Sequence, residues 1–216
     1  MNNLDEFRAL GLSEQTLTLI AEKGFETPSP IQSLTIPMLM TSTSDIIAQA
    51  QTGTGKTAAF GLPLIEKLSQ SADGVKAIIL VPTRELALQV TEELLSFNRF
   101  RKLYIAAIYG GASIIEQLRR LKKGIDIVVG TPGRTLDNIQ RGTLDLSGVE
   151  YLVLDEADEM LNMGFIEDIE EIMAAMGDSK RVMLFSATMP ARIVQLSKKY
   201  MNDTKGLKVD SGQVNA

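Results

Sequence analysis

Short apolar runs alternate along the chain with longer stretches in which apolar residues recur every three or four positions. Several of the runs lack polar residues at alternate positions, which is typical of strands buried on both faces of a parallel sheet. The runs lie at residues 45–50, 76–81, 102–109, 125–130, 151–154 and 181–185. The stretches with helical periodicity are residues 13–23, 31–40, 56–69, 84–98, 113–123, 133–141, 164–176 and 191–200.

This succession of strand and helix predicts an α/β protein, a three-layer sandwich with a mostly parallel central sheet. Ligands of such proteins bind beyond the carboxyl ends of the strands, so we expect the chemistry in the loops that follow each strand. The tail at residues 202–216 is polar and typical of a linker, with residues 206–209 as a candidate edge strand.

A glycine-bearing loop at residues 50–57 follows the first apolar run. It fits the phosphate-loop pattern G-x-x-x-x-G-K-[ST], except that Ala50 stands at the first glycine position. Small residues let backbone N–H groups curl around a phosphate, and the helix that opens after Gly55 adds partial positive charge. Lys56 would reach the outer phosphates and Thr57 would bind Mg²⁺. A glycine-rich turn before an ordinary helix is the alternative, which the strand-loop-helix context disfavours.

Two acidic residues follow the apolar run at residues 151–154. Asp155, at the end of a buried strand, can hold Mg²⁺, and Glu156 can polarise a water molecule for attack on a γ-phosphate. Taken alone, the two acids could equally form a solvated acidic turn. Together with the phosphate loop, they predict hydrolysis of a nucleoside triphosphate.

The composition limits other kinds of chemistry. The 216 residues carry a formal net charge of −5 and include no cysteine and no histidine. Disulfides, thiolate metal sites and histidine bases are therefore excluded, and nucleic acid would have to be bound by local groups. Because no apolar run approaches the ~20 residues of a membrane span and no secretory pattern opens the chain, we expect a cytoplasmic protein without a membrane partner.

The motif Asp155-Glu156-Ala157-Asp158 spells the name of the DEAD-box RNA helicases, and the chain resembles that family from Phe7 to Thr188. Phe7 resembles the isolated aromatic residue of the family's Q motif. The resemblance implies a RecA-like P-loop NTPase domain over residues 1–207, with the Q motif at 5–33 and an interdomain linker from 208 to 216. The segments that carry it are residues 24–32 (Q motif), 50–57 (motif I, where alanine is usual at the first position), 82–86 (motif Ia), 110–111 (double glycine), 131–134 (motif Ib), 155–158 and 186–188 (motif III).

The resemblance also implies an ATP site. The side-chain amide of Gln32 can donate to and accept from the adenine edge, and Phe25 could pack against the base with Thr27 nearby. Without the family, Phe25 fits a core position and Gln32 a surface position. The implied catalytic residues are Lys56, Thr57, Asp155 and Glu156, with Thr57 and Asp155 as the Mg²⁺ ligands. The implied nucleotide-binding residues are Phe25, Thr27, Gln32, Gln51, Thr52, Gly53, Thr54, Gly55, Lys56, Thr57 and Ala58.

Three loops at strand ends present small residues, a hydroxyl or a guanidinium near a helix start, which suits sequence-independent contacts to phosphates. Capping of a helix by Thr131 and Pro132 is a compatible alternative. The resemblance further implies that Asp158 links with Ser186 and Thr188 to couple hydrolysis to RNA separation, the alternative being a strand-end turn. The implied RNA-binding residues are Pro82, Thr83, Arg84, Gly110, Gly111, Thr131, Pro132, Gly133 and Arg134.

Enzymes of this family have a second domain, which supplies arginines to the γ-phosphate and a motif that begins with histidine. Residues 189–216 are far fewer than the ~150 of a further domain, so we expect this chain to lack it. The chain, a monomer in isolation, would bind ATP or ADP with Mg²⁺ and the RNA backbone. It would hydrolyse ATP slowly and would not unwind a duplex alone. A nucleotide-gated binding module without catalysis and a DNA helicase domain remain open as alternatives.

Overall fold

A single parallel sheet forms the centre of the molecule. The computed structural model describes residues 4–68, 74–111 and 124–209. Its seven strands stand in the order β3-β4-β2-β5-β6-β1-β7, and every neighbouring pair is parallel. The predicted α/β class with a mostly parallel sheet is confirmed. The strands are β1 (Ile46–Gln49), β2 (Ala77–Leu80), β3 (Ile105–Ile108), β4 (Ile127–Gly130), β5 (Tyr151–Leu154), β6 (Arg181–Ser186) and β7 (Lys205–Lys208).

Helices flank the sheet on both faces. Two of them, α1 and α7, were not predicted, because six residues are too few to display a helical period. None of the helices within the described ranges is long and apolar enough to cross a membrane. The helices are α1 (Leu4–Ala9), α2 (Glu14–Glu22), α3 (Pro30–Thr41), α4 (Lys56–Lys67), α5 (Arg84–Phe97), α6 (Pro132–Gln140), α7 (Ala157–Asn162), α8 (Ile166–Ala174) and α9 (Ala191–Tyr200).

Successive residues of the central strands pack into two different apolar clusters. Ile79 and Val153 face the cluster that includes buried residues of α1 to α5. Ile78 and Leu152 face the cluster that includes buried residues of α7 to α9. Because side chains alternate across a strand, a strand with helices on both faces is apolar at nearly every position between its ends. This explains the unbroken apolar runs of the sequence.

The observed boundaries differ from the predicted ones where the backbone turns. β3 begins at Ile105 rather than at 102, because Lys102 takes a positive φ of 55° and Asn98 bonds both backbone groups of Leu103. α8 begins at Ile166 rather than at 164, since Gly164 has a φ of 80°. The predicted edge strand near the end of the chain is present as β7. The predicted helix at 113–123 and residues 210–216 of the predicted linker lie outside the described residues.

The candidate functional loops all leave one edge of the sheet. Gln49, the last residue of β1, pairs in register with Ser186, the last residue of β6. Leu80, the last residue of β2, pairs with Leu154 on one side and with Gly130 on the other. Because parallel strands end at the same edge, the loops at residues 50–55, 81–83, 131, 155–156 and 187–190 emerge side by side.

Candidate nucleotide site and adjoining surface

The loop between β1 and α4 has the backbone shape of a phosphate cradle. Gly53 and Gly55 take positive φ angles of 76° and 85°, a region that residues with a Cβ rarely adopt. Gly55 is the N-cap of α4, so Lys56 and Thr57 are the first two residues of that helix. The free N–H groups of a helix start point toward the loop and favour a bound anion.

Gln32 joins the Q-motif segment to this loop. Its Nε2 atom donates to the carbonyl oxygen of Gly55 at 3.2 Å, and its Oε1 atom accepts from the backbone N–H of Ser29 at 2.9 Å. A Cβ atom on Gly55 would lie 2.5 Å from Nε2 of Gln32, which is closer than side chains pack. Gly55 therefore has to be glycine both for its φ angle and for the approach of the Gln32 amide.

Lys56 and Asp155 form a buried ion pair at the centre of the site. Nζ of Lys56 lies 3.3 Å from Oδ1 of Asp155, and the two side chains are only 6% and 3% exposed. Neither of these two atoms makes a hydrogen bond to any other described group. Buried polar atoms normally find partners, so this ammonium and this carboxylate oxygen have bonding capacity left for a ligand.

Burial raises the pKa of Asp155, and the ammonium of Lys56 opposes that rise. Burial and the negative charge of Asp155 together raise the pKa of Glu156, the half-buried neighbour. Glu156 also takes a left-handed backbone conformation, with φ 54° and ψ 51°, at the N-cap of α7. A non-glycine residue in that conformation stores roughly 1 kcal/mol of strain, a feature that tends to occur at functional sites.

A further acid, Glu93 of α5, lies beside this pair and was missed by sequence reasoning. Burial raises the pKa of its carboxyl, while the ammonium of Lys23 and the hydroxyl of Thr57 favour the ionised form. The Lys23 ammonium is held on α5, because it donates to Oγ of Ser96 at 2.8 Å. The sequence carried no signal for Glu93, since it occupies a polar position in an ordinary amphipathic helix.

The candidate site also fits a Mg²⁺ ion. The Thr57 hydroxyl and the Oδ1 atom of Asp155, which makes no hydrogen bond to a described group, are hard oxygen donors of the kind that Mg²⁺ prefers. No group of three or more acidic side chains that could cage a metal ion exists among the described residues. Mg²⁺ is usually held by one or two protein oxygens together with phosphates and water, a number that Thr57 and Asp155 could supply.

Asp158 connects the acidic loop to the segment after β6. Its Oδ2 atom accepts from the backbone N–H of Thr188 at 2.9 Å and from the Thr188 hydroxyl at 2.8 Å. The backbone N–H of Asp158 donates to Oγ of Ser186 at 3.1 Å. Burial acts to raise the pKa of Asp158, but the hydrogen bonds from Thr188 and Ser186 outweigh it, and the pKa is lowered. The predicted meeting of these three residues is therefore present.

The remaining loops leave the same edge of the sheet and contact one another. The guanidinium of Arg84 stacks over the ring of Tyr109 at 5.0 Å, and its Nη1 atom lies 3.7 Å from where Gly111 would carry a Cβ. The backbone N–H of Thr131 donates to Ile108 at 3.0 Å, which holds the end of β4 beside the end of β3. Arg84, Gly110, Gly111 and Gly133 are exposed, whereas Pro82 and Pro132 are buried beneath them.

The aromatic residues of the Q-motif segment pack together. Phe7 is fully buried, and its ring meets that of Phe25 edge-on, with centroids 6.2 Å apart and planes at 76°. Phe25 is half-buried, and Thr27 is exposed in the loop that leads to α3. Phe7 therefore packs against Phe25 from the interior of the protein, while part of the Phe25 ring stays accessible to solvent.

Comparison with known proteins identifies the family. The sequence profile described as DEAD/DEAH box helicase matches residues 29–196, which is more than half of the chain. This chain belongs to the DEAD/DEAH box helicase family. A probable ATP-dependent RNA helicase of Methanocaldococcus jannaschii is 54% identical over 94% of this chain. The DEAD-box ATP-dependent RNA helicase CshA of Bacillus cereus is 51% identical over 96% of it.

Solved structures of helicase-family proteins share the fold. The crystal structure of a DEAD box protein from Methanococcus jannaschii matches 95% of this chain with a TM-score of 0.91 and 53% identity. A hypothetical ATP-dependent RNA helicase from Sulfolobus tokodaii matches 92% with a TM-score of 0.84 and 36% identity. This chain spans 54% and 39% of the two curated relatives and 56% and 57% of the two solved chains. The family's RecA-like fold is thus present in a chain about half as long as its relatives.

Proposed function

We propose that this chain is the ATP-binding half of an ATP-dependent RNA helicase. The observation that carries the proposal is the buried pair of Lys56 and Asp155, whose facing atoms retain bonding capacity beside a glycine-rich helix start. The relatives named as ATP-dependent RNA helicases support the same function. The proposed ligands are ATP or ADP with Mg²⁺, and RNA.

In this proposal the loop amides and the Lys56 ammonium bind the outer phosphates. A triphosphate that reaches Lys56 would share or replace its contact with Asp155. Thr57 and Asp155 would then hold the Mg²⁺ that accompanies the nucleotide, with Glu93 nearby to hydrogen-bond the Thr57 hydroxyl. The metal ion would supply charge neutralisation for the phosphate oxygens.

Glu156 is the proposed base that orients and deprotonates the attacking water. Its raised pKa makes the carboxylate a better proton acceptor than an ordinary glutamate. A movement of the loop that carries Glu156 and Asp158 would shift Thr188 through the two hydrogen bonds that join Thr188 to Asp158. Hydrolysis and movement of the segment at 186–188 would therefore be linked.

Gln32 is the proposed reader of adenine. Both polar atoms of its amide are engaged within the protein, but an amide nitrogen has a second hydrogen and an amide oxygen a second lone pair. Adenine presents an acceptor and a donor on one edge, so Gln32 could bind it without losing its hold on Gly55. Phe25 would contact the base, with Thr27 near it.

The exposed loops at the same edge are the proposed RNA surface. Arg84 supplies positive charge, and the loops at 110–111 and 131–134 supply backbone N–H groups near helix starts or glycines. Such groups bind phosphates irrespective of base sequence, which reconciles RNA binding with a net charge of −5. A cytoplasmic location is part of the proposal, because ATP and RNA occur there together.

A second domain is proposed to complete the site for hydrolysis and unwinding. Arginines supplied by another domain are worth roughly 10³–10⁵ in phosphoryl-transfer rate. We therefore expect this chain, as a monomer, to bind nucleotide, to turn over ATP slowly and to leave an RNA duplex intact. Strand separation by this chain alone would contradict the proposal.

Nucleotide binding provides the direct test. Binding of Mg²⁺-ADP to this chain is expected to weaken at least about tenfold in Lys56→Ala, because a hydrogen bond to a charged group is worth about 1.5–3 kcal/mol. Lys67→Ala, at the exposed end of the same helix, is the matched control and should bind as the unaltered chain does. Thermal unfolding of each variant separates loss of binding from loss of fold. Equal affinity in Lys56→Ala and the control would contradict the proposal.

The alternatives are distinguished by ATP turnover when a second helicase domain is supplied. RNA-stimulated turnover supports the helicase function, whereas binding without turnover would favour a nucleotide-gated module. Single strands of RNA and DNA with the same sequence are compared in the same assay. Equal stimulation by DNA would favour a DNA helicase, because the 2′-hydroxyl is what separates the two polymers.

A further inference from the structure

Gln49 lies between the phosphate loop and the segment at 186–188, and the proposed function gives it no role. It is the last residue of β1 and directly precedes the phosphate loop. Its side chain is half-buried, and its Nε2 atom donates to the carbonyl oxygen of Ala187 at 3.1 Å. Ala187 lies between Ser186 and Thr188, so this hydrogen bond connects the residue before the phosphate loop to the middle of the segment at 186–188.

The backbone around Gln49 contacts two further parts of the chain. The N–H of Ala50 donates to the carbonyl of Ser186 at 3.1 Å, which is the last main-chain bond between β1 and β6. The N–H of Val209 donates to the carbonyl of Gln49 at 3.0 Å, immediately after the end of β7. The start of the phosphate loop, the segment at 186–188 and the end of the last described strand therefore meet at one residue.

The side chain of Gln49 joins β1 to residue 187, which lies beyond the main-chain hydrogen bonds between β1 and β6. After Ser186 the chain leaves β1 and turns toward Asp158, where Thr188 donates two hydrogen bonds. The carbonyl of Ala187 would lack a partner from β1 if residue 49 had no side-chain donor. Gln49 thus fixes one end of a short peptide whose other end is fixed by Asp158.

We propose that Gln49 is a positioning residue that couples the phosphate loop to the segment at 186–188. When nucleotide binding shifts the loop, the amide of Gln49 pulls on the carbonyl of Ala187, and the position of Thr188 against Asp158 changes with it. The proposal rests on the nucleotide-binding function proposed above and adds the route by which that site reaches Thr188.

The chemical requirement at position 49 is a donor at about the length of a glutamine side chain. Gln49→Met keeps the length and removes the donor. Gln49→Lys restores a donor at a similar reach. Gln195→Met, an exposed position on α9, is the matched control for the same substitution.

The test is an NMR titration of this chain with Mg²⁺-ADP, in which the amide resonances of Gly53 and Thr188 are followed together. In the unaltered chain and in Gln195→Met, we expect saturating nucleotide to shift both resonances. In Gln49→Met, the shift at Thr188 should fall at least about threefold while the shift at Gly53 persists, and Gln49→Lys should recover part of it. A shift at Gly53 shows that the variant is folded and binds nucleotide.

Three results would overturn the inference. An unchanged shift at Thr188 in Gln49→Met, or no shift at Thr188 in the unaltered chain beside a clear shift at Gly53, would remove the coupling role and leave nucleotide binding standing. Absence of a shift at Gly53 in the unaltered chain would overturn the proposed nucleotide binding and this inference with it. The readout does not respond to stability alone, because both resonances are compared within one folded sample.

Discussion

The ammonium of Lys56 faces the carboxylate of Asp155 across 3.3 Å, with both side chains almost fully buried. The first residue of α4 and the residue after β5 are thereby held together at one edge of the sheet. Burial of a charge costs desolvation free energy, which an oppositely charged partner offsets. Removal of one member should therefore leave the desolvation cost of the other without compensation.

Lys56→Met should destabilise the fold by about 3 kcal/mol at pH 7, because it leaves Asp155 buried without its cation. Asp155 already has a raised pKa, and loss of Lys56 raises it further. A carboxyl whose folded pKa exceeds its unfolded pKa weakens the fold above the folded pKa, and this cost disappears below the unfolded value. Urea unfolding should therefore show a smaller loss at pH 4 than at pH 7.

Lys67→Met provides the exposed control in the same helix and should change the unfolding free energy by less than about 0.5 kcal/mol. The double variant Lys56→Met/Asp155→Leu should recover much of the stability, since no buried charge is left unpaired. An equal loss at both pH values would show that the ion pair is not the cause.

Gly55→Ala should cost more stability than Gly53→Ala, although both glycines have similar positive φ angles. Each substitution incurs roughly 1–2 kcal/mol for the left-handed conformation. Only at Gly55 would the new Cβ also collide with the Gln32 amide, at 2.5 Å, whereas no atom lies within 4 Å at Gly53. Urea unfolding of the two variants measures the difference, and equal losses would mean that the Gln32 contact is easily displaced.

Thr188→Val should raise the pKa of Asp158 toward its ordinary value, because it removes one of the hydrogen bonds that stabilise the carboxylate. A lowered folded pKa contributes stability above the unfolded pKa, and this contribution is lost as pH falls through the folded value. The variant should be about 1 kcal/mol less stable at pH 7, and this deficit should disappear at pH values below the folded pKa of Asp158.

NMR titration of the Asp158 carboxyl, together with unfolding at pH 7 and below that folded pKa, tests this expectation. Thr188→Ser keeps the hydroxyl and should titrate like the unaltered protein. If Thr188→Val left the pKa of Asp158 unchanged, the backbone N–H of Thr188 would be sufficient to hold the carboxylate.

Glu156 should set the acidic limb of ATP turnover in a two-domain protein that contains this chain. Its pKa is raised by burial and by Asp155, so kcat/KM should fall with decreasing pH at an apparent pKa above the ordinary ~4.3 of glutamate. Glu156→Gln should abolish turnover while nucleotide binding persists. Glu156→Asp should retain an acidic limb at reduced rate. Turnover in Glu156→Gln at the unaltered rate would assign the base to another group.

Much of the architecture was predictable from the sequence, because a strand covered by helices on both faces is apolar at nearly every position between its ends. The runs that became β1, β2, β4, β5 and β6 were located to within a few residues for this reason. The loop compositions likewise predicted the ligands. Small residues at 50–57, between a strand and a helix, suit a bound phosphate, and acidic residues at 155–158, after a buried strand, suit a metal ion. The short helices α1 and α7 were missed because they are shorter than two helical turns.

By itself, the sequence determined the succession of the strands and the longer described helices, the family and the types of residue available at each strand end, because these depend on patterns between near neighbours in the chain. Tertiary structure alone decided the order of the strands, the contact of Lys56 with Asp155 and the engagement of Gln32 with Gly55. It also brought Glu93 beside Thr57 and Gln49 beside Ala187. Contacts between residues far apart in the chain depend on how the helices and strands pack, and local sequence patterns do not specify that packing.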